Sequence, residues 1–388
     1  MPAKSSGDLV RVSVGGDICP INANEPICER GDAERAFDGL VEKMRGADVC
    51  VANLECPLVD FKSPLEKSGP VVGASTASAN VLSKAGIAAV TLANNHIMDH
   101  GARGLSSTMR ALDERGVGRF GADEDLEAAR RLWVRDVRGL RVGFLGVTHH
   151  EFSVAGARSP GAAPMDPVDV HRQIRDSKAS WDILVALVHA GPSQYPYPTP
   201  DLQRYCRFLV DLGASIVVCQ HSHCAGSYER FKGALIVYGQ GNLLFDWKPE
   251  PQADWFQGFW VEVDVDRNGA AVAHRFYPYE RGENGVGVRE MSGEERERFL
   301  GEIERRSGEI EDPRTVERRW REYCERKSNY YYQQILGWVP ASNLARRVLG
   351  RLGIKVVPFR GSYRRKLLNL IRCEAHREVL ETLLDDRR

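Results

Sequence analysis

The sequence predicts an α/β fold whose chemistry lies along one edge of a sheet, on three observations. Short apolar runs rich in β-branched residues alternate with segments of helical periodicity, the pattern of an α/β domain. Seven of those runs lead within about four residues into Asp, Glu, Asn or His, a regularity that core packing does not require. The stretch Ile216-Val217-Val218-Cys219-Gln220-His221-Ser222-His223 reads as a buried strand ending in two imidazoles. In an extended chain positions i and i+2 share a side, so His221 and His223 are expected to enter one pocket.

The other elements follow the same plan. Leu9 to Val14 leads into Gly15-Gly16-Asp17, and Val49 to Ala52 into Asn53-Leu54-Glu55. Ala88 to Ala93 runs into Asn94-Asn95-His96-Ile97-Met98-Asp99, Val142 to Val147 into Thr148-His149-His150, and Ile183 to Val188 into His189-Ala190-Gly191. Leu235 to Tyr238 precedes Gly239-Gln240-Gly241-Asn242. Open α/β sheets collect ligands beyond the carboxyl ends of their strands, and glycine there lets the backbone turn close to a ligand. Helices are expected over Asp32 to Met44, Ser78 to Ala85, Gly104 to Arg115 and Pro200 to Leu212. Phe259 to Val265 and Ala271 to Tyr277 alternate around Asp266-Arg267-Asn268-Gly269, which predicts an antiparallel hairpin.

Residues 8–280 are therefore expected to form the catalytic domain, the Gly-rich stretch 281–291 a linker, and 292–388 a basic α-helical extension. Ser292-Gly293-Glu294-Glu295 is a capping-box pattern, and Asp312-Pro313 supplies a cap and a first-turn proline. Further helices are expected near Ser342 to Leu352 and Tyr363 to Leu384. Between Ala341 and Arg377 ten Lys and Arg residues stand against the single acid Glu374. A solvated helix face is the ordinary explanation. The other reading is that these helices dock an acidic polymer or an anionic membrane surface, because the whole chain balances 53 basic against 53 acidic residues.

That balance argues against a nucleic-acid partner, and no Walker or dinucleotide-binding glycine loop follows any strand. The 43% hydrophobic content suits a soluble globular chain with a buried core. The polar first residues and the lack of a spanning segment predict a cytoplasmic protein, peripheral at most to the inner membrane face. Nine cysteines without a Cys-x-x-Cys pair fit free thiols in a reducing compartment. Nothing in the sequence sets the oligomeric state.

The strand-end residues can be read as ligands. Asp17 and Glu55 offer hard oxygen donors, Asn95 a neutral carbonyl, and His189, His221 and His223 imidazole nitrogens. Mixed oxygen and nitrogen donors without thiolates suit Mn, Fe or Zn. Six donors exceed what one catalytic ion with an open position takes, which implies two divalent ions sharing a carboxylate. His96, with Asp99 three residues on to orient it, is the natural general acid. Each of these residues has an ordinary alternative, as a turn, cap or surface ion-pair residue; six such coincidences at strand ends are what the metal reading replaces. His149, His150 and Glu151 are expected only to wall the pocket, and His100, His171, His274 and His376 to be structural or exposed.

Gly16-Asp17, Asn53-Leu-Glu55-x-Pro57, Ala93-Asn-Asn-His96-x-x-Asp99-x-Gly101, His189-x-Gly191, Asp211-Leu-Gly-Ala214 leading to His221-Ser-His223, and Tyr238-x-x-Gly-Asn242-x-x-Phe245-Asp246 resemble the CapA family of poly-γ-glutamate capsule biosynthesis proteins. That family is similar to the calcineurin-like metallophosphatases. The resemblance implies a sandwich of two mixed β-sheets flanked by helices, here with a C-terminal α-helical extension. It also implies the same six metal ligands, His96 as proton donor, and substrate contacts from Asn94, Gln194, Tyr195 and Asn242. The chain departs from the pattern at two points. Cys19 stands where metallophosphatases carry the His of Asp-x-His, and Gln194 stands near a family glutamate, so no proton can be taken there. Two classes of function follow: a metal-dependent hydrolase of an amide bond in a γ-glutamyl or cell-surface polymer, less directly of a phosphoester; or a metal-stabilised, non-catalytic scaffold in polymer assembly.

Overall fold

A computed structural model describes residues 9–67, 70–247, 253–336 and 351. The chain divides into two compact units after Trp320, and the site lies wholly within the first. In chain order the strands are β1 (Leu9–Cys19), β2 (Phe37–Asp38), β3 (Val49–Leu54), β4 (Ala89–Thr91), β5 (Gly118–Phe120) and β6 (Ala122–Asp123). Next come β7 (Trp133–Val137), β8 (Leu140–Thr148), β9 (Gly161–Ala162), β10 (Ile183–His189), β11 (Ala214–Gln220) and β12 (Tyr228–Phe231). The last are β13 (Ala234–Tyr238), β14 (Asn242–Phe245), β15 (Gln257–Asp266), β16 (Ala271–Arg281) and β17 (Val288–Glu290).

One sheet has the order β2-β17-β16-β15-β1-β3-β4-β5, with β14 also on β1, and the other has the order β12-β13-β11-β10-β8-β7. Both are mixed: β1, β3, β4 and β5 are parallel while β15, β16 and β17 are antiparallel. Strand alternation builds the layers. On β10, Ile183, Val185 and Leu187 enter the core between the sheets, while Leu184, Ala186 and Val188 face the helices Pro167–Asp176 and Pro200–Asp211. On the other sheet Val12, Val14 and Val51 point into the shared core, and Ala52 and Leu54 pack under Met44 and Leu82. Each such fully buried aliphatic side chain contributes on the order of 1.5–3 kcal/mol. The result is the two-sheet sandwich flanked by helices that the sequence led us to expect.

Four expectations are corrected. The helix over Asp32 to Met44 is broken into Ala33–Ala36 and Val41–Gly46, because Phe37 buries its ring in the core as β2 pairs with β17, and Gly39 turns the chain at φ +77°. The stretch 281–291 is not a linker: β17 pairs antiparallel with β16, and the first compact unit continues to Trp320. The helix Gly293–Glu309 belongs to that unit, with Ile303 buried and Ser307 Oγ accepting from Tyr228 N at 2.9 Å. Strand β1 does not stop before Asp17 but runs through it. The helices expected beyond Ser342, and the basic run apart from Arg351, lie outside the described residues. Among the described residues no helix is long and apolar enough to cross a membrane, and the cysteines are free.

Candidate metal centre

The site is assembled where β1, β3, β4, β8, β10 and β11 end or bend side by side. A β-bulge between Val14 and Asp17 shifts the register of β1 against β3 and re-aims Asp17. Gly15 and Gly16 permit it: a Cβ on Gly15 would lie 2.5 Å from the Trp260 ring, and one on Gly16 2.2 Å from the Gly241 carbonyl. Glu55 follows the last residue of β3, and His189 is the last residue of β10.

His221 and His223 converge for a different reason from the extended geometry expected. Strand β11 ends at Gln220, and both histidines take left-handed backbone conformations, φ +86° and +52°. Such conformations cost side-chain-bearing residues on the order of 1–3 kcal/mol each, and they cluster at functional sites.

Asp17, Glu55 and His189 present donor atoms within 4.8 Å of one another, and so do Glu55, His221 and His223. His189 Nε2 lies 3.0 Å from Asn95 Oδ1 and 3.0 Å from His221 Nδ1. Two donors bound at right angles to one ion, each at about 2.1 Å, stand about 3 Å apart. All six predicted ligand residues are thus brought together. Among the described residues neither Glu55 oxygen has a hydrogen-bond donor, though both are buried; His189 and His223 nitrogens stand 3.5 and 3.6 Å away. Burial and then the Asp17 charge push the Glu55 carboxyl well above its usual range, while burial and neighbouring imidazoles push His189 and His221 well below theirs. The histidines are therefore neutral and carry free lone pairs at pH 7. An orphaned carboxylate ringed by neutral imidazoles fits divalent cations.

The supporting residues are well defined. Asn242 Nδ2 donates to Trp255 O at 3.0 Å, which leaves Oδ1 to accept from His223 Nδ1 at 2.9 Å, so the His223 lone pair is on Nε2, facing Glu55. Asn53 Nδ2 donates to Asp17 Oδ1 at 2.7 Å and lies 3.2 Å from His189 Nδ1. Asn94 is fully buried, donates to Leu54 O and Asn53 Oδ1 and accepts from His96 N. His96 Nδ1 donates to Asp99 Oδ2 at 2.7 Å; Asp99 also accepts from Val72 N and pairs with Lys67, whose side chain is only 3% exposed.

The four residues expected to contact substrate have these partners within the fold. Asn94 and Asn242 are buried braces. Gln194 Nε2 donates to the His223 carbonyl at 2.9 Å and its own N–H to Ser222 O at 2.7 Å. Tyr195 is buried, with its ring 5.9 Å from Tyr197 and 5.6 Å from Trp320. Sequence reasoning missed Lys67, which carries no motif, and gave Asn53 no role, although it shares the strand face of Glu55 at i, i+2. It also gave no chemistry to His149 and Glu151, which meet at 2.7 Å beside His221. A cavity of about 520 Å³ opens next to His149, walled by Met165, Ala190, Leu202, Tyr205 and Phe208 with Arg204 among them.

A family model described as bacterial capsule synthesis protein PGA_cap matches residues 11–247. The chain is 30% identical over 250 residues to the capsule biosynthesis protein CapA of Bacillus anthracis, across 62% of this chain and 60% of that one. It is 33% identical over 171 residues to a Mycobacterium tuberculosis protein named "Probable polyglutamine synthesis accessory protein", across 40% and 45%. The chain thus spans less than two thirds of either relative's length. Among solved structures, a 5'-nucleotidase precursor from Thermus thermophilus is 15% identical with a TM-score of 0.43, over 76% of this chain and 58% of that one. With a family model covering more than half its length and the motif residues gathered at one site, the chain belongs to the CapA, or PGA_cap, family of bacterial capsule synthesis proteins.

Proposed function

We propose that this chain is a metal-dependent hydrolase that cleaves an amide bond in a γ-glutamyl or related acidic cell-surface polymer. The observation that carries the reading is the pairing of a buried donor cluster with a poised proton donor at its edge, His96 on Asp99. Asp17, Glu55, Asn95, His189, His221 and His223 would hold two divalent ions, Mn, Fe or Zn by donor type. Such ions supply Lewis-acid polarisation of the scissile group and an activated water nucleophile. His96 keeps its Nδ1 proton on Asp99 and, once protonated on Nε2 as well, gives that second proton to the leaving nitrogen and returns to the neutral ring, while Lys67 fixes Asp99 in place. The names of the relatives support a polyglutamate-type substrate. The cavity supports it too, since a γ-glutamyl unit offers methylenes to its apolar wall.

The alternatives are a phosphoesterase and a metal-stabilised scaffold. The scaffold reading is favoured by Gln194, which stands near a family carboxylate and is held by the His223 carbonyl. Metal-reconstituted protein should be assayed on γ-glutamyl peptides and phosphodiesters side by side. Peptide cleavage that is lost in His96→Ala supports the amidohydrolase; turnover of phosphodiesters alone, or of neither, replaces it with one of the alternatives.

A further inference from the structure

We propose that His149 and Glu151, from the loop after β8, are additional ligands of the ion that Asn95, His189 and His221 would hold. The inference rests on the metal-centre reading above and extends its ligand set beyond the motif residues. Five side chains lie in one continuous chain of contacts. Asn95 Oδ1 lies 3.0 Å from His189 Nε2, which lies 3.0 Å from His221 Nδ1. The His221 ring meets the His149 ring edge-on at 4.6 Å between centroids. His149 Nε2 is 2.7 Å from Glu151 Oε1, and the Asn95 side chain is among the groups that hold the Glu151 carboxyl below its usual range, after the opposing effect of burial and the pull of His149. One donor atom from each of His149, Glu151 and His221 falls within 4.8 Å of the others.

An ordinary surface ion pair would need no contact with two other donor residues. Here the pair extends a chain of contacts drawn from four separate strand ends, and its side chains are only 28% and 33% exposed. The arrangement makes the two ion positions unequal. On the side of Asp17, Glu55 and His223 the chain offers no imidazole from the first motif, because Cys19 is buried in the core beside Cys56. On the side of Asn95 it offers five side chains. The second position should therefore bind more tightly and keep its ion when the first is stripped.

The test uses the full chain, Zn²⁺ for stoichiometry and affinity, and Co²⁺ for its visible spectrum. Wild type should take up two ions in distinguishable steps. The double variant His149→Ala with Glu151→Gln should weaken the tighter step at least about 10-fold, as loss of ligand-supporting groups does, and change the Co²⁺ bands of that step. His223→Ala should weaken the other step and leave this one. Glu151→Gln alone keeps the shape of the loop, and its thermal unfolding without metal should match wild type. Unchanged affinity and Co²⁺ spectrum in the double variant, with binding lost in His221→Ala, would overturn the assignment of His149 and Glu151. A wild-type protein that binds neither ion would overturn the metal centre itself.

Discussion

Replacing Asn242 with alanine separates a brace from a substrate contact. In the structure its amide joins the Trp255 carbonyl, at 3.0 Å, to His223 Nδ1, at 2.9 Å, and the residue is 4% exposed. Asn242→Ala removes both bonds, each contributing about 1 kcal/mol net, and leaves the Trp255 carbonyl buried without that donor, at a cost of about 1–3 kcal/mol. Stability should fall by about 3–5 kcal/mol, readable by urea unfolding. The larger consequence is at the site: His223 loses the partner that fixes its tautomer, so affinity for the ion near Asp17 and Glu55 should drop about 10- to 100-fold. Turnover at saturating metal should recover, with KM for substrate close to wild type. If metal affinity is unchanged while KM rises, Asn242 touches substrate and the bracing argument fails.

Three other outcomes follow from the same geometry. His96→Ala should keep its metal but lose about 10²- to 10⁴-fold in turnover, the usual contribution of a general acid; equal turnover in the variant removes His96 from the mechanism. Metal affinity should climb with pH, because burial and then the Asp17 charge raise the Glu55 pKa and so disfavour the ionised form that a cation needs, whereas burial lowers the pKa of His189 and His221 and favours their lone pairs. Calorimetry across a pH series measures the affinity, and an affinity that does not rise with pH would count against Glu55 as a ligand. Truncation after Leu336 should preserve metal binding and reduce binding to polyglutamate or anionic vesicles at low salt, since screening weakens contacts between exposed charges; equal binding by both forms would make the basic run a solvated face.

The strand ends were legible because apolar runs and polar stops are local features. Ile216 to Gln220, Ile183 to His189 and Val49 to Leu54 fold as the alternation of their side chains requires. What the sequence hid is tertiary. The break at Phe37 depends on pairing with Val288, some 250 residues away, which no local pattern announces. The last strand was obscured by glycines that read as a linker, although Gly287 donates its N–H to Asn24 Oδ1 at 2.8 Å inside the fold. Ligand types could be read from chemistry, but roles such as those of Asn94 and Asn242 depend on which way an amide points after folding. Lys67 shows the limit most clearly: its place beside His96 comes only from being buried against Asp99.

The central claim is that six residues from separate strand ends form one divalent-metal centre, and elemental analysis tests it most directly. Protein purified without chelator and loaded with Mn²⁺ or Zn²⁺ should retain about two ions per chain after desalting, as a dinuclear site requires. The double variant His221→Ala with His223→Ala should retain far less while still folding. Metal-free wild type after loading, or a double variant that retains as much metal as wild type, would contradict the account.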